Sequence, residues 1–412
     1  MTSGPARDVV ARAAAARQAG RGAEARALLE PLVAREPGFA PAWTLLGLVQ
    51  LDAGDGAAAA ASLGRAVRVD PKPPAGWYSL SRAHAAAGDA AAELAALDEA
   101  LARDAYFLPA LLAKGKALAK LGREADGITL YRAFLAGIAD DSGFPPPIRA
   151  QLAEARAWVA GDAERRGEVF ARTLSEVAAA FPGADMRRAE AFAAQRAGLR
   201  KIYVQQPTAG HFPFLPAIEF HERAHFPWFE ALERETGAIR EELLSLWRED
   251  DPNFRPYVKY DATTPTNQWA ELNHSPRWSA WFLWEDGVRN DANCARCPAT
   301  AAAAAKVPLL DIPGKGPTVM FSVLQPRTRI PPHTGSTNAR ITVHLPLVVP
   351  EGCGFRVGGE TREWRAGEAW AFDDTIEHEA WNDSPQPRAI LIVDVWNPLL
   401  SEAEREAVRR IG

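Results

Sequence analysis

The feature that most constrains this sequence is a repeat with a fixed step of 34 residues in its first third. Glycines occur at positions 20, 54, 88 and 122, and Trp43 and Trp77 are separated by the same step of 34 residues. A helix pair cannot bury both of its faces alone, so units of this length stack on their neighbours, with large residues over small ones. The spacing therefore predicts a short α-solenoid of helix pairs.

The residues within each unit resemble the tetratricopeptide repeat. The match covers the sequence W-T-L-L-G at residues 43–47, followed by Leu63 and Pro71 at later positions of the same unit. The next unit departs from the pattern, because Glu93 stands where a small residue is usual and Ala105 replaces the proline. A plain helical bundle is the alternative interpretation, but a bundle does not need a fixed step.

The sequence changes character twice after the repeats. Residues 141–147 (DSGFPPP) end the solenoid, because consecutive prolines remove backbone donors and fix φ. A helical stretch follows, and from about residue 205 prolines and tryptophans become frequent. We therefore predict an α-solenoid over residues 1–140, a helical linker over residues 141–200 and a second domain over residues 201–412.

The second domain contains segments of strand length that alternate in polarity or are apolar throughout. These segments are residues 318–324, 340–349, 354–357, 369–372 and 389–396. Short strands separated by turn residues predict a β-sandwich or a jelly roll. Amphipathic helical patterns flank them at residues 224–248 and 401–410.

Composition excludes several classes of protein. With 47% hydrophobic and 24% charged residues, the chain is typical of a folded globular protein. The net charge of -5 and the lack of a basic cluster argue against nucleic-acid binding. No apolar run is long enough for a transmembrane helix, and the N-terminus lacks the apolar core of a signal peptide. Because the few cysteines fit a reducing compartment, we expect a cytoplasmic protein.

Cys294 and Cys297 form a C-x-x-C sequence that raises the question of a zinc site. Such a site would need a second pair of ligands, and Cys353 alone does not supply one. We therefore expect Cys294 and Cys297 to be structural thiols.

Two histidines stand beside predicted strands, and an arginine follows them. His333 lies in PPHTGSTNAR, His378 lies in FDDTIEHEAWNDS, and Arg388 opens the next apolar strand. Neutral imidazole suits divalent iron, and a buried guanidinium can bind a carboxylate through two parallel hydrogen bonds. For either histidine alone, a structural residue satisfied beside a strand is the simpler interpretation.

This region resembles the aspartyl/asparaginyl β-hydroxylases, a family of 2-oxoglutarate/Fe(II) oxygenases. The segments HTGSTNARITVHL and FDDTIEHEAWNDSPQPRAILIVDVWNP provide the main match, and it extends upstream through WSAWFLWEDGVRNDANC and FSVLQPRTRIPPHTG. The resemblance implies a double-stranded β-helix, or jelly roll, with Fe(II) as the metal and 2-oxoglutarate as the cosubstrate.

The resemblance also implies roles for particular residues at the metal and the cosubstrate. His333 and His378 are expected to bind the iron. Arg388 is expected to pair with the distal carboxylate of 2-oxoglutarate. Ser322 and His344 are expected to contact the cosubstrate as well.

On the substrate side, the resemblance places Arg340 opposite the carboxylate or amide of the substrate, whereas a further arginine of some members is Thr342 here. Most enzymes of this chemistry also use a carboxylate two residues after the first histidine. That position is Gly335, and the resembled family lacks the carboxylate too. Asp374, four residues before His378, could hold a water in the third place. An ordinary turn residue is an equally good interpretation.

The sequence therefore predicts a dioxygenase that hydroxylates the β-carbon of Asp or Asn residues in a protein or peptide, with release of succinate and CO2. The repeats could present that protein substrate, or they could only stabilise or dimerise the chain. The alternatives are hydroxylation of a small amino acid or of a lipid acyl chain, a non-catalytic repeat scaffold with a vestigial oxygenase domain, and a sugar-modifying or metal-binding cupin.

Overall fold

The computed structural model describes residues 4–249 and 251–411. The chain divides into two compact units, Met1–Leu199 and Arg200–Gly412. All regular elements of the first unit are helices, whereas the second contains every β-strand of the described residues. None of the helices in these residues is both long and apolar enough to cross a membrane.

The first unit consists of helices joined by short turns. These are α1 (Gly4–Gln18), α2 (Gly22–Arg35), α3 (Ala40–Asp52), α4 (Gly56–Val69), α5 (Pro74–Ala86), α6 (Ala90–Arg103), α7 (Leu108–Lys120), α8 (Glu124–Leu135), α9 (Pro146–Ala180) and α10 (Arg187–Ala197). The repeated glycines adopt a positive φ, for example 79° at Gly54, which a residue with a side chain rarely adopts. Asp55 then caps α4, because its carboxylate accepts a hydrogen bond from the amide of Ala58.

Packing between the helices explains the small residues of the repeat. A Cβ atom at Gly47 in α3 would lie 2.5 Å from Cγ of the buried Leu63 in α4. The same relation recurs further along, where the ring of Tyr131 in α8 fills the space beside Gly115 in α7. Large residues therefore pack over glycine at corresponding positions of the α3–α4 and α7–α8 pairs, which are two repeat steps apart, as the period predicts.

The second unit combines short helices with two antiparallel sheets. Its helices are α11 (Phe229–Arg234), α12 (Thr236–Arg248), α13 (Asp291–Arg296), α14 (Pro298–Ala304) and α15 (Glu402–Ile411). Its strands are β1 (Arg255–Pro256), β2 (Trp278–Glu285), β3 (Val288–Arg289), β4 (Val319–Leu324), β5 (Thr328–His333), β6 (Arg340–Val348), β7 (Cys353–Val357), β8 (Glu360–Arg362), β9 (Trp370–Phe372), β10 (His378–Asn382) and β11 (Arg388–Trp396).

The eight strands from β4 to β11 are divided equally between the two sheets, and only β7 and β8 follow one another within one sheet. The larger sheet has the order β1-β2-β4-β11-β6-β9, with β3 paired to β2, and the smaller sheet has the order β5-β10-β7-β8. These eight antiparallel strands thus form two sheets that face each other across a shared cavity. The predicted fold class, helical repeats followed by an antiparallel β-sheet domain, is confirmed.

Two hydrophobic cores lie on opposite faces of the larger sheet. On β11, Leu391 and Val393 pack against helices α11 to α14, whereas Ile390 and Ile392 face the smaller sheet. Successive side chains of a strand point to opposite faces, so this one strand contributes to both cores. The space between the sheets is only partly filled by these apolar residues, and it contains the candidate site.

Candidate active site

A cavity of about 500 Å³ lies between the two sheets. Its volume falls within the usual range for small-molecule sites, roughly 300 to 1,000 Å³. All seven residues that sequence reasoning assigned to the site line it: Ser322, His333, Arg340, His344, Asp374, His378 and Arg388.

His333 and His378 lie side by side on neighbouring strands of the smaller sheet. His333 ends β5, His378 begins β10, and the two residues are paired in the strand register. Their ring centroids are 4.1 Å apart. His333 Nδ1 donates to the carbonyl of Pro331 at 2.8 Å, and His378 Nδ1 donates to that of Ile376 at 3.0 Å. Since each Nδ1 holds the proton, each Nε2 keeps a lone pair that can bind a metal ion.

Both histidines are neutral at pH 7. Burial, aided by the neighbouring His378, lowers the pKa of His333 from 6.5 to about 3. Burial lowers the pKa of His378 from 6.5 to about 4. Metal ligands must be deprotonated, so the protein already holds the pair in the state that a cation requires.

The structure gives a reason why position 335, two residues after His333, has no carboxylate. The described residues contain no group of three or more His, Cys, Asp or Glu side chains that could hold a metal ion. At Gly335, a Cβ atom would overlap the carboxylate of Asp374. Asp374 therefore fills the space from which a carboxylate at position 335 would reach the histidines. The residues present fit a two-histidine centre, with a carboxylate beside it and not bound to it.

Arg388 is a buried cation whose described neighbours include no carboxylate partner. It is 1% exposed, and its Nε and Nη1 atoms have no hydrogen-bond partner among the described residues. Its Cζ atom lies 4.6 Å from the ring centroid of Trp364, which provides a cation–π contact. Burial lowers the pKa of Arg388 to about 10, so the group still carries its charge at pH 7. An unpaired buried charge is costly, and a bound carboxylate would relieve that cost.

Ser322 and His344 lie on the two strands that flank β11 in the larger sheet. Ser322 is opposite Ile390 in register and accepts a hydrogen bond of 3.1 Å from Trp278 Nε1. His344 is buried against the rings of Phe355 and Phe372, and its Nδ1 has no hydrogen-bond partner in the described part of the chain. Burial, followed by the charges of Arg388 and His378, lowers the pKa of His344 well below its ordinary value. His344 is therefore neutral and lies within electrostatic range of both groups.

Arg340 already has two carboxylate partners within the protein. Its guanidinium donates to Asp374 and, at 3.3 Å, to Asp394. Burial acts to lower the pKa of Arg340, but the two carboxylates outweigh burial, and the pKa lies above its ordinary value. Thr342, on the same strand, also lines the cavity. Asp374 is thus the partner of a buried arginine in addition to being a turn residue.

Sequence reasoning missed the part that tryptophans play in the cavity. Trp278, Trp281 and Trp284 recur at a spacing of three, a pattern that core packing alone would explain. In β2, however, Trp278 lines the cavity, whereas Trp281 is buried in the core beneath the helices. An odd spacing along a strand places side chains on opposite faces, which was the available clue. Trp269 lies closer still, with its ring centroid 5.0 Å from that of His333.

Two of the three cysteines lie away from this cavity. Cys294 and Cys297 are buried free thiols in the core between the larger sheet and the helices. Burial raises the pKa of Cys297 to about 12, which keeps the thiol protonated and unreactive. Cys353 is a buried free thiol as well.

Comparisons with known proteins support both parts of the resemblance. The family model described as Aspartyl/Asparaginyl beta-hydroxylase matches residues 233–398, and a tetratricopeptide-repeat model matches residues 16–83. The chain is 36% identical over 183 residues to the aspartyl/asparaginyl beta-hydroxylase of Homo sapiens, which is 44% of this chain and 23% of that protein. It is also 36% identical over 188 residues to an ornithine lipid ester-linked acyl 2-hydroxylase of Rhizobium tropici, which is 44% of this chain and 62% of that protein.

The chain spans less than two thirds of the length of each of these two relatives. Among solved structures, it is similar to a thermophilic tetratricopeptide-repeat protein of Thermus thermophilus at 23% identity, covering 46% of this chain and 99% of that chain, with a TM-score of 0.31. The family models thus match N-terminal helical repeats similar to tetratricopeptide repeats and a domain similar to the aspartyl/asparaginyl β-hydroxylases.

Proposed function

We propose that this protein is an Fe(II)- and 2-oxoglutarate-dependent dioxygenase that hydroxylates the β-carbon of Asp or Asn residues in a protein or peptide. The observation that best supports the proposal is the content of one cavity: two neutral histidines with free Nε2 atoms, and a buried guanidinium that lacks a carboxylate partner among the described residues. A metal ion and a dicarboxylate together would satisfy all of these groups.

His333 and His378 would hold the iron through Nε2, with each ring fixed by its Nδ1 hydrogen bond. Bound Fe(II) would supply the oxidative chemistry that couples O2 and 2-oxoglutarate to hydroxylation, with release of succinate and CO2. Asp374 would accept a hydrogen bond from a water in the place that a third protein ligand takes in related chemistry.

Arg388 would bind the distal carboxylate of 2-oxoglutarate. Its burial excludes water, which strengthens a charge-assisted hydrogen bond to that carboxylate. Ser322 and His344 would contact the same cosubstrate from the neighbouring strands. The two histidines and Arg388 would thus fix both ends of 2-oxoglutarate relative to the substrate.

On the substrate side, Arg340 would face the reacting side chain. Its two carboxylate partners leave the group of Arg340, Asp374 and Asp394 with a net negative charge when all three are ionised. A neutral amide fits that environment better than a carboxylate, which favours Asn over Asp as the substrate residue.

The direct test is turnover by the purified full-length protein. With Fe(II) and ascorbate, we expect succinate from 2-oxoglutarate and one added oxygen atom on an Asn- or Asp-containing peptide, detected by mass spectrometry. His333→Ala should abolish both products, because it removes a metal ligand. An unchanged rate in that variant, or no succinate from the wild-type protein, would contradict the proposal.

A second candidate substrate is a lipid acyl chain. The similarity to the acyl 2-hydroxylase of Rhizobium tropici equals that to the human β-hydroxylase in percentage identity. Incubation with ester-linked ornithine lipid and 2-oxoglutarate decides between the two. Hydroxylated lipid without hydroxylated peptide would favour the acyl reaction.

The repeats would present the protein substrate to the oxygenase, as extended concave surfaces of such solenoids bind peptides. Deletion of residues 1–140 should then raise KM for a protein substrate and leave KM for a short peptide unchanged. Equal effects on both substrates would argue against docking and for a stabilising role.

A further inference from the structure

We propose that Gln205 is a positioning residue of this site, because it joins the loop that follows His333 to the loop that precedes His378. The inference rests on the proposed function, since it concerns the geometry of the metal centre. Gln205 lies outside residues 233–398, which match the β-hydroxylase family model.

The side chain of Gln205 connects two buried polar residues. Its Nε2 donates to Asp373 Oδ2 at 2.5 Å, and its Oε1 accepts from Asn338 Nδ2 at 3.1 Å. Asn338 is five residues after His333, and Asp373 is five residues before His378. Asn338 is 0% exposed and Asp373 is 1% exposed. One amide therefore bridges the loop that follows the first histidine and the loop that precedes the second.

The backbone around Gln205 reinforces this connection. The amide of Gln206 donates to the carbonyl of Thr375 at 2.7 Å. Further along, the amide of Thr208 donates to the carbonyl of Gly335 at 2.9 Å, and that of Ala209 donates to Ser336. Residues 205–210 thus lie across both loops and are bonded to each of them.

The other side-chain hydrogen bonds of these two buried residues do not join the two loops to each other. Asp373 also accepts from Thr375 within its own loop, and Asn338 also exchanges hydrogen bonds with Phe212, which belongs to the same N-terminal segment as Gln205. Loss of the Gln205 amide would leave Asp373 Oδ2 and Asn338 Nδ2 buried without this bond, which destabilises the closed arrangement of the loops. The two loops are also joined directly, because the amide of Gly335 donates to the carbonyl of Asp374 at 2.6 Å. We therefore expect the loops to relieve that cost by shifting relative to each other, which changes the distance between the two histidines.

The test is metal affinity, measured on the full-length protein by calorimetric titration with Mn(II) in the absence of O2. Gln205→Met preserves side-chain volume and removes both hydrogen bonds, and we expect about a tenfold weaker Kd, as is typical when a group that orients a ligand is lost. Gln206→Met is the matched control, because the side chain of Gln206 is exposed and the bond to the loops comes from its backbone. Its Kd should equal that of the wild type.

Gln205→Asn keeps the amide on a shorter side chain and should have an intermediate Kd, which keeps the test decisive if the methionine variant fails to fold. An unchanged Kd in the variant that folds would overturn the inference, even if its melting temperature falls, because that pattern describes a purely structural residue. Succinate formation is measured separately. Weaker Mn(II) binding by the Gln205 variants, together with no succinate from the wild type, would support the inference and contradict the proposed reaction.

Discussion

The two units of this chain bury different kinds of side chain. The core of the repeat unit is built mainly from alanine, leucine and valine, and its buried carboxylate, Glu93, is paired with Lys120. The β-sheet unit buries many more polar groups, and several of them surround one cavity. Arg388 and His344 are buried there with nitrogen atoms that no described residue satisfies.

This difference indicates which buried groups of each unit stabilise the fold and which do not. Apolar packing in the repeats lowers the free energy of the folded chain without chemical specificity. Unpaired polar groups in the second unit raise that free energy, and such groups are retained where a ligand completes them. The contrast therefore predicts that substitutions in the repeat core will lower stability but not activity, and that substitutions in the cavity will lower activity more than stability.

The largest expected effect is that of Arg388→Leu. This change removes a buried charge that has no carboxylate partner in the described residues, so the free energy of unfolding should stay constant or rise by roughly 1 to 4 kcal/mol. Succinate formation should nevertheless fall at least about a hundredfold, because the cosubstrate loses its anchor. Urea unfolding and turnover are measured on the same preparation. A large loss of stability would contradict the description of Arg388 as a buried charge that is retained for ligand binding.

The reverse pattern is expected for Leu63→Ala in the repeat unit. Leu63 is 0% exposed and packs over Gly47, so the cavity left by truncation should lower the free energy of unfolding by about 2 to 5 kcal/mol. The rate of succinate formation per folded molecule should not change. A lower rate of succinate formation at a temperature where the variant is folded would show that packing in the repeat unit affects activity as well as stability.

An intermediate effect is expected for Gly335→Ala. The added methyl group would displace the carboxylate of Asp374 and disturb its contact with Arg340, so we expect about a tenfold lower kcat. Gly237→Ala in α12 is the matched control, because a Cβ atom there meets nothing within 4 Å. Equal rates for the two variants would mean that the position of Asp374 is unimportant.

A pH dependence of stability should come from the histidine pair. The folded-state pKa values of about 3 and 4 lie below the unfolded value of 6.5, so on acidification the unfolded chain takes up protons first. The stability of the metal-free protein should therefore be fully present above pH 6.5 and decline as the pH falls toward 4. Thermal unfolding of the wild type and of a His333→Asn/His378→Asn variant measures this, and the variant should show a shallower decline.

The smallest effect concerns the substrate side chain. Since Arg340 is held by Asp374 and Asp394, a peptide with Asn should have a several-fold higher kcat/KM than the same peptide with Asp. Competition of the two peptides in one reaction measures the ratio by mass spectrometry. A preference for Asp would show that the carboxylates do not set the charge of the substrate site.

Local and periodic features of this protein could be predicted from its sequence. The helix pairs follow from a step of 34 residues, and strands such as β6 and β11 follow from their apolar patterns. Strand β5 was harder, because two prolines in TRIPPH argue against a strand. They are tolerated because β5 lies at the edge of the smaller sheet.

The candidate site was less accessible to sequence reasoning, because it depends on contacts between distant segments. Six residues could be named from the resemblance and Asp374 from its position before His378, and all seven line one cavity. The neutralisation of Arg340 by Asp394 could not be predicted, since the two residues are 54 positions apart and meet only across the sheet. The role of Gln205 was hidden for the same reason, because its partner Asp373 is 168 positions away.

The most direct test of the central claim is the affinity of the full-length protein for 2-oxoglutarate. Titration without O2 in the presence of Mn(II) should give saturable one-to-one binding, and Arg388→Leu should weaken it at least about a hundredfold. Arg365→Leu, which removes an exposed arginine, should bind as the wild type does. Equal affinity of the Arg388→Leu variant and the wild type, or no binding by either, would contradict the account.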